Sequence, residues 1–152
     1  MAENLRVEGL DSIIRKLRRV QPTSMFRATM RNGAEMVKGW INQYPRSTSA
    51  NSPGTGRWYE RGYGSRWMNA DGSVGGSRTS ETLGRRWASD VSANGMSATV
   101  GNNASYAPLV QGKEQAWYHN RTGWRTTVEA VKEMGPRVRA FLLTQYRRAI
   151  NG

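Results

Sequence analysis

The sequence predicts an α+β fold in which an antiparallel β-sheet packs against an N-terminal helix pair and a C-terminal helix, with a long loop after the second helix. Three observations lead there. Apolar residues recur at helical spacing towards both ends of the chain. An Asn-Gly pair in the second half is flanked by alternating apolar and polar residues. Between the early helices and that pair lies a stretch almost without aliphatic side chains.

The first helical segment is predicted near Leu10–Arg19, where Leu10, Ile13, Ile14 and Leu17 share a face and Arg15, Lys16, Arg18 and Arg19 lie opposite. Gln21 and Pro22 break it, and Pro22 suits the first position of the next helix, where its missing N–H is not needed. That second helix is expected over Pro22–Tyr44, with Phe26, Met30, Gly33, Val37, Trp40, Ile41 and Tyr44 as its core stripe and Pro45 as its stop. Pro45 to Arg78 reads as a long loop of Ser, Asn, Gly and Arg, too poor in aliphatics to build a core of its own.

Asn94-Gly95 predicts a two-residue type I′ turn that sets Ala93 opposite Met96, Val91 opposite Ala98 and Ser89 opposite Val100. One face of the hairpin is then mostly apolar and continued by Trp87, while Asp90, Ser92, Ser97 and Thr99 lie on the other. Farther on, Thr126 and Glu129 have capping-box spacing. Gly135-Pro136 is expected to interrupt, and a last helix over Pro136–Ile150 to bury Val138, Phe141, Leu142 and Ala149. With 152 residues, the chain is expected to form a single domain, 1–152, around one core.

Charge and composition narrow the function. Lys and Arg number 23 against 11 Asp and Glu, a formal net charge of +12, which favours a polyanionic or acidic partner. No apolar run has the length of a membrane span and the first nine residues are polar, so a soluble protein without a secretory leader and without a membrane partner is expected. The absence of cysteine removes disulfides, thiolate metal sites and cysteine nucleophiles together. His119 is the single histidine, so no pair of imidazoles can hold a metal or share a proton. Asp11, Asp71 and Asp90 sit in unrelated segments, and neither Gly54-Thr55-Gly56 nor Gly75-Gly76-Ser77 completes a phosphate-binding loop. The expectation is a protein that is not an enzyme, with no catalytic or metal-ligating residue and no cofactor.

Interaction residues are a different matter. Arg57, Trp58, Tyr59, Arg61, Tyr63, Arg66 and Trp67 interleave aromatic and guanidinium groups within the 45–78 loop, the residue types that bring large contact area to interfaces, the equal alternative being that the aromatics fold back as a lid over the core. Trp117 and Trp124 extend the candidate contact set into the stretch after the hairpin. The same Arg and aromatic residues could contact nucleic-acid backbone and bases. Against that stands their scatter, since Arg15–Arg19, Arg85–Arg86 and Arg147–Arg148 lie on different elements.

The order of segments resembles the tail-completion or head–tail neck proteins of tailed bacteriophages. The resemblance runs through VEGLDSIIRKL, a long second helix ending in Tyr44-Pro45, GRWYERGYG, TSETLGRRWASDV, a short hairpin, VGNNASYAPLVQG and GWRT before a C-terminal helix. It implies a structural virion component of the neck or tail end, made in the host cytoplasm. Such a subunit joins head to tail within a homo-oligomeric ring, hexamer favoured and dodecamer possible. Its implied partners are other neck and tail proteins, with DNA passing through the channel. Thr79, Leu83, Trp87, Tyr106, Ala107, Val110 and Gln111 are implied to define the fold or touch neighbouring subunits, and of these Tyr106 and Gln111 join the candidate interface residues. A basic nucleic-acid-binding accessory protein is the alternative.

Overall fold

The computed structural model describes Ile14 and residues 23–151. Helices and antiparallel strands both occur, so the fold is α+β. In chain order the elements are α1 (Thr23–Ile41), a 3-10 turn (Pro53–Thr55), β1 (Arg57–Glu60), β2 (Gly64–Met68), β3 (Val74–Gly75), α2 (Thr82–Arg85), β4 (Trp87–Val91), β5 (Ala98–Asn102), α3 (Ala107–Gln111), α4 (Trp117–Thr122) and α5 (Thr127–Asn151). The segment expected as a first helix lies outside the described residues except for Ile14, which is helical and buried.

The described residues divide into two compact units, each drawn from separated stretches of chain. The one core expected from length is replaced by two clusters of buried apolar residues. The first unit takes its described residues from the ranges Met1–Ile41, Trp87–Gly101 and Glu129–Gly152. Here α1 buries Phe26, Met30, Val37 and Ile41, and α5 buries Ala130, Met134, Val138, Leu142 and Tyr146, one residue every fourth position. Gly33 lies where α1 meets α5, because a Cβ there would sit 3.2 Å from Val138 Cγ1.

α5 runs unbroken through Pro136, which had been expected to start a new helix. Pro136 removes one backbone donor, but it lies on the exposed side of the helix while Met134 and Val138 keep the buried stripe intact. α1 in turn stops at Ile41, three residues short of the expected Tyr44, because a residue preceding proline is pushed out of the helical region and Tyr44 is recruited elsewhere.

β4 and β5 form a two-stranded sheet that packs Trp87, Val91, Ala98 and Val100 against the first cluster. Ser92 N–H donates to Ser97 O at 3.0 Å, the alignment that the Asn-Gly reading predicts. The turn itself differs. Gly95 N–H bonds Ser92 O at 2.9 Å, so the turn spans Ser92–Gly95 with glycine in its last place, at φ 69. Asn94 keeps a negative φ and accepts hydrogen bonds through Oδ1 from Met96 N–H (3.0 Å) and Ser92 Oγ (2.7 Å). That bonding stabilises the longer loop over a two-residue one.

The second unit comprises Asn42–Arg86 and Asn102–Val128. Its sheet, ordered β1-β2-β3, occupies much of the 45–78 region that the sequence presents as loop. β1 pairs antiparallel with β2, Arg57 opposite Trp67 and Glu60 opposite Gly64. Tyr63 N–H donates to Glu60 O at 3.0 Å, and Gly62, at φ 83, supplies the positive φ that the third turn position requires. On the other side of β1, Asn51 takes the place of a strand. Its Oδ1 accepts from Tyr59 N–H (2.6 Å), and its Nδ2 donates to Tyr59 O and to Arg46 O (3.0 Å each). Tyr59 thereby has both backbone groups satisfied by one buried side chain.

Candidate interaction site

The apolar cluster of the second unit is small: Leu83, Ala104, Ala107, Val110 and Trp124, with Tyr44 and Tyr59 packed on it. Aromatic geometry supplies what aliphatic volume does not. Tyr44 and Tyr59 stack at 5.7 Å between centroids, and each meets Trp124 edge-on, at 5.1 and 4.9 Å. Tyr44 Oη donates to Glu81 O and accepts from Gly84 N–H, both at 2.8 Å, which ties the end of α1's connection to the start of α2. Gly84 has no room for a side chain, since a Cβ would fall 2.5 Å from Tyr44 Oη.

Beside this cluster lies a cavity of about 320 Å³. Tyr44, Tyr59, Tyr106, Tyr118 and Trp124 contribute rings to its lining, and Glu81, Arg57 and His119 contribute the ionisable groups. Desolvation pushes the Tyr44 and Tyr59 hydroxyls above the ordinary tyrosine value, so both stay neutral donors at physiological pH. Desolvation also lowers His119 from its usual 6.5, which favours the uncharged imidazole. Glu81 is the single non-glycine residue with positive φ among the described residues, at φ 53.

Arginines gather on ring faces around the same unit. Arg57 lies 5.7 Å from the Tyr118 ring centre, Arg61 5.6 Å from that of Tyr44, Arg66 4.5 Å from that of Tyr63 and Arg121 5.5 Å from that of Trp117. Arg121 also donates to Arg57 O at 2.6 Å, joining α4 to β1. Arg61 pairs with Glu81 at 3.3 Å. Arg66 Nε lies 3.4 Å from Glu60 Oε2, an electrostatic contact whose alignment falls short of a hydrogen bond.

The residues expected to form an interface thus separate into two sets. Arg57, Arg61, Tyr63, Trp67, Tyr106 and Trp117 are exposed, and Trp117 is 71% so. Trp67 Nε1 is satisfied by Asn69 Oδ1 at 3.1 Å, and its ring lies against Gly75 of β3 with 41% of the residue exposed. Tyr59 and Arg66 are half-buried. Trp58, Gln111 and Trp124 are interior instead, at 4, 1 and 6% exposure, because the sheet and the short helices α3 and α4 close around them. Sequence reasoning left out Tyr44, Glu81, Leu109 and Tyr118, which line the cavity, and Arg121. An arginine four residues after Trp117 was a legible signal, since such a pair meets on one helix face. Nothing local marks Glu81.

Among the described residues, no group of three or more His, Cys, Asp or Glu could hold a metal ion. No helix of the described residues is long and apolar enough to cross a membrane. No protein-family model, curated protein or solved structure matches the chain.

Proposed function

We propose that this chain is a structural virion subunit of a tailed bacteriophage, a neck or tail-completion protein that joins head to tail as one copy in a homo-oligomeric ring around the DNA channel. The observation that carries the reading is a convergence. TSETLGRRW, YAPLVQG and GWRT are distant in sequence, yet Leu83, Ala107, Val110 and Trp124 from these three stretches share one apolar cluster. That is the behaviour expected of segments that define a fold. The exposed Trp67, Tyr63, Tyr106 and Trp117, with guanidinium groups beside several of them, have the composition of a contact surface between subunits.

The test is the double substitution Trp67→Ser, Trp117→Ser. Trp117 is 71% exposed and Trp67 41%, with part of the Trp67 ring against Gly75, so the variant should still fold, with a modestly lowered melting temperature, while oligomer formation falls by at least tenfold in affinity, an order of magnitude typical for losing aromatic contacts. Oligomers of unaltered stability would reject these residues as the contact surface. The net charge of +12 supports a second reading, a basic accessory protein bound to nucleic acid. That reading requires DNA affinity that falls steeply with salt in the isolated chain.

A further inference from the structure

We propose that the cavity of the second unit is a binding site for a small organic cation, a guanidinium or alkylammonium group on a short apolar chain, held among tyrosine and tryptophan side chains with Glu81 as counter-charge. The inference does not rest on the assembly reading, because every residue it uses belongs to one unit of one chain.

The cavity's volume of about 320 Å³ suits a guest of modest size, at the lower end of the roughly 300–1,000 Å³ usual for small-molecule sites. Tyr44, Trp58, Tyr59, Tyr106, Tyr118 and Trp124 form part of its wall beside serine, threonine and aliphatic residues, and an aromatic ring presents a negative face to whatever lies over it. A neutral apolar guest would exploit area alone, whereas a cation exploits area and ring charge distribution together. The ionised groups in the lining are Glu81 and Arg57, and Arg57 is already placed over the ring of Tyr118. An anionic guest would meet the Glu81 carboxylate, and of the two basic groups in the lining Arg57 lies over the Tyr118 ring while burial favours the uncharged form of His119.

The chain itself displays the proposed recognition. Arg61 lies over the ring of Tyr44 and pairs with the Glu81 carboxylate, so one guanidinium already combines a ring face with that counter-charge. The Arg61 side chain is 74% exposed, which makes its hold on Glu81 weak and open to competition. Glu81 is also the residue held in the left-handed region, with φ 53 and ψ 36. Tyr44 Oη, bonded to Glu81 O and Gly84 N–H, supports that conformation. Strain of this kind, at a carboxylate that lines a cavity, is characteristic of binding sites.

The experiment titrates the purified full-length chain with butylguanidinium and with butylurea, its uncharged isostere, following tryptophan fluorescence and the indole N–H resonances. Butylguanidinium should bind saturably and about tenfold more tightly than butylurea, the order expected from cation–π attraction with a partly shielded carboxylate. Glu81→Gln should erase most of that preference. Arg61→Met, at an exposed position, should raise butylguanidinium affinity by removing the internal competitor. Equal binding of the two probes, an undiminished preference in a folded Glu81→Gln protein, or no saturable binding to either wild type or Arg61→Met would each overturn the proposal. Should Glu81→Gln fail to fold, the two probes against wild type and Arg61→Met still decide it.

Discussion

Asn51 carries more of the second unit than its place in a Ser- and Asn-rich run indicates. It is 2% exposed and bonds both backbone groups of Tyr59, so Asn51→Ala would leave a buried N–H and C=O without partners. We expect a loss of about 1–3 kcal/mol per unsatisfied group, read by chemical denaturation, with melting of the β1 backbone amides seen first in hydrogen exchange. Polar composition argues for loop because it counts aliphatics and overlooks an amide side chain standing in for a strand. Tyr44 was misplaced for a related reason. Helical spacing assigns it to the stripe of Phe26 and Ile41, while its hydroxyl is used between Glu81 and Gly84. His119 gives a pH prediction. Burial lowers its folded-state value below 6.5, so the unfolded chain takes up the proton more readily and stability falls as pH drops from about 6.5 through the lowered value. His119→Gln should flatten the melting-temperature profile across that window; an unchanged slope would mean that other groups set it.

At the level of elements, the hairpin alignment was legible and its turn was not. Alternation of Val91, Ala98 and Val100 fixes which residues face the first cluster, and a slip of one residue would expose all of them. The turn type depends on Asn94 Oδ1 accepting from Ser92 Oγ and from Met96 N–H, which an Asn-Gly pair alone does not disclose. Gly95→Val remains a sharp test, for two reasons that reinforce each other. Position 95 has φ 69, and a Cβ there would approach Arg27 N to 2.7 Å at the start of α1. Strain and overpacking together should cost about 2–4 kcal/mol in equilibrium unfolding. An unchanged midpoint would show that the turn is free to rebuild. The register β1-β2 rests likewise on Gly62 and on Gly64, where a Cβ would fall 2.5 Å from Thr79 Cγ2. Glycines in GRWYERGYG therefore shape a sheet where composition implied flexibility.

The whole molecule combines an aliphatic cluster built by α1, α5 and the β4-β5 hairpin with an aromatic one built by short elements. Periodicity reveals the first kind, since Ala130, Met134, Val138, Leu142 and Tyr146 repeat in steps of four. It cannot reveal the second, where Tyr44, Tyr59, Leu83 and Trp124 come from separate segments and meet through long-range contacts. The same separation hid the cavity and Glu81, while the exposed Trp67 and Trp117 were already marked by their composition. Assembly is the property on which the functional account depends, and the Trp67→Ser, Trp117→Ser variant should weaken it at least tenfold while remaining folded. The most direct measurement is electron microscopy of the purified protein and of the phage particle to which the proposal assigns it. The account requires a closed ring of subunits, a hexamer first and a dodecamer second, located at the head–tail junction or tail end. A monomer strung along free DNA, released steeply by salt and missing from the junction, would contradict it.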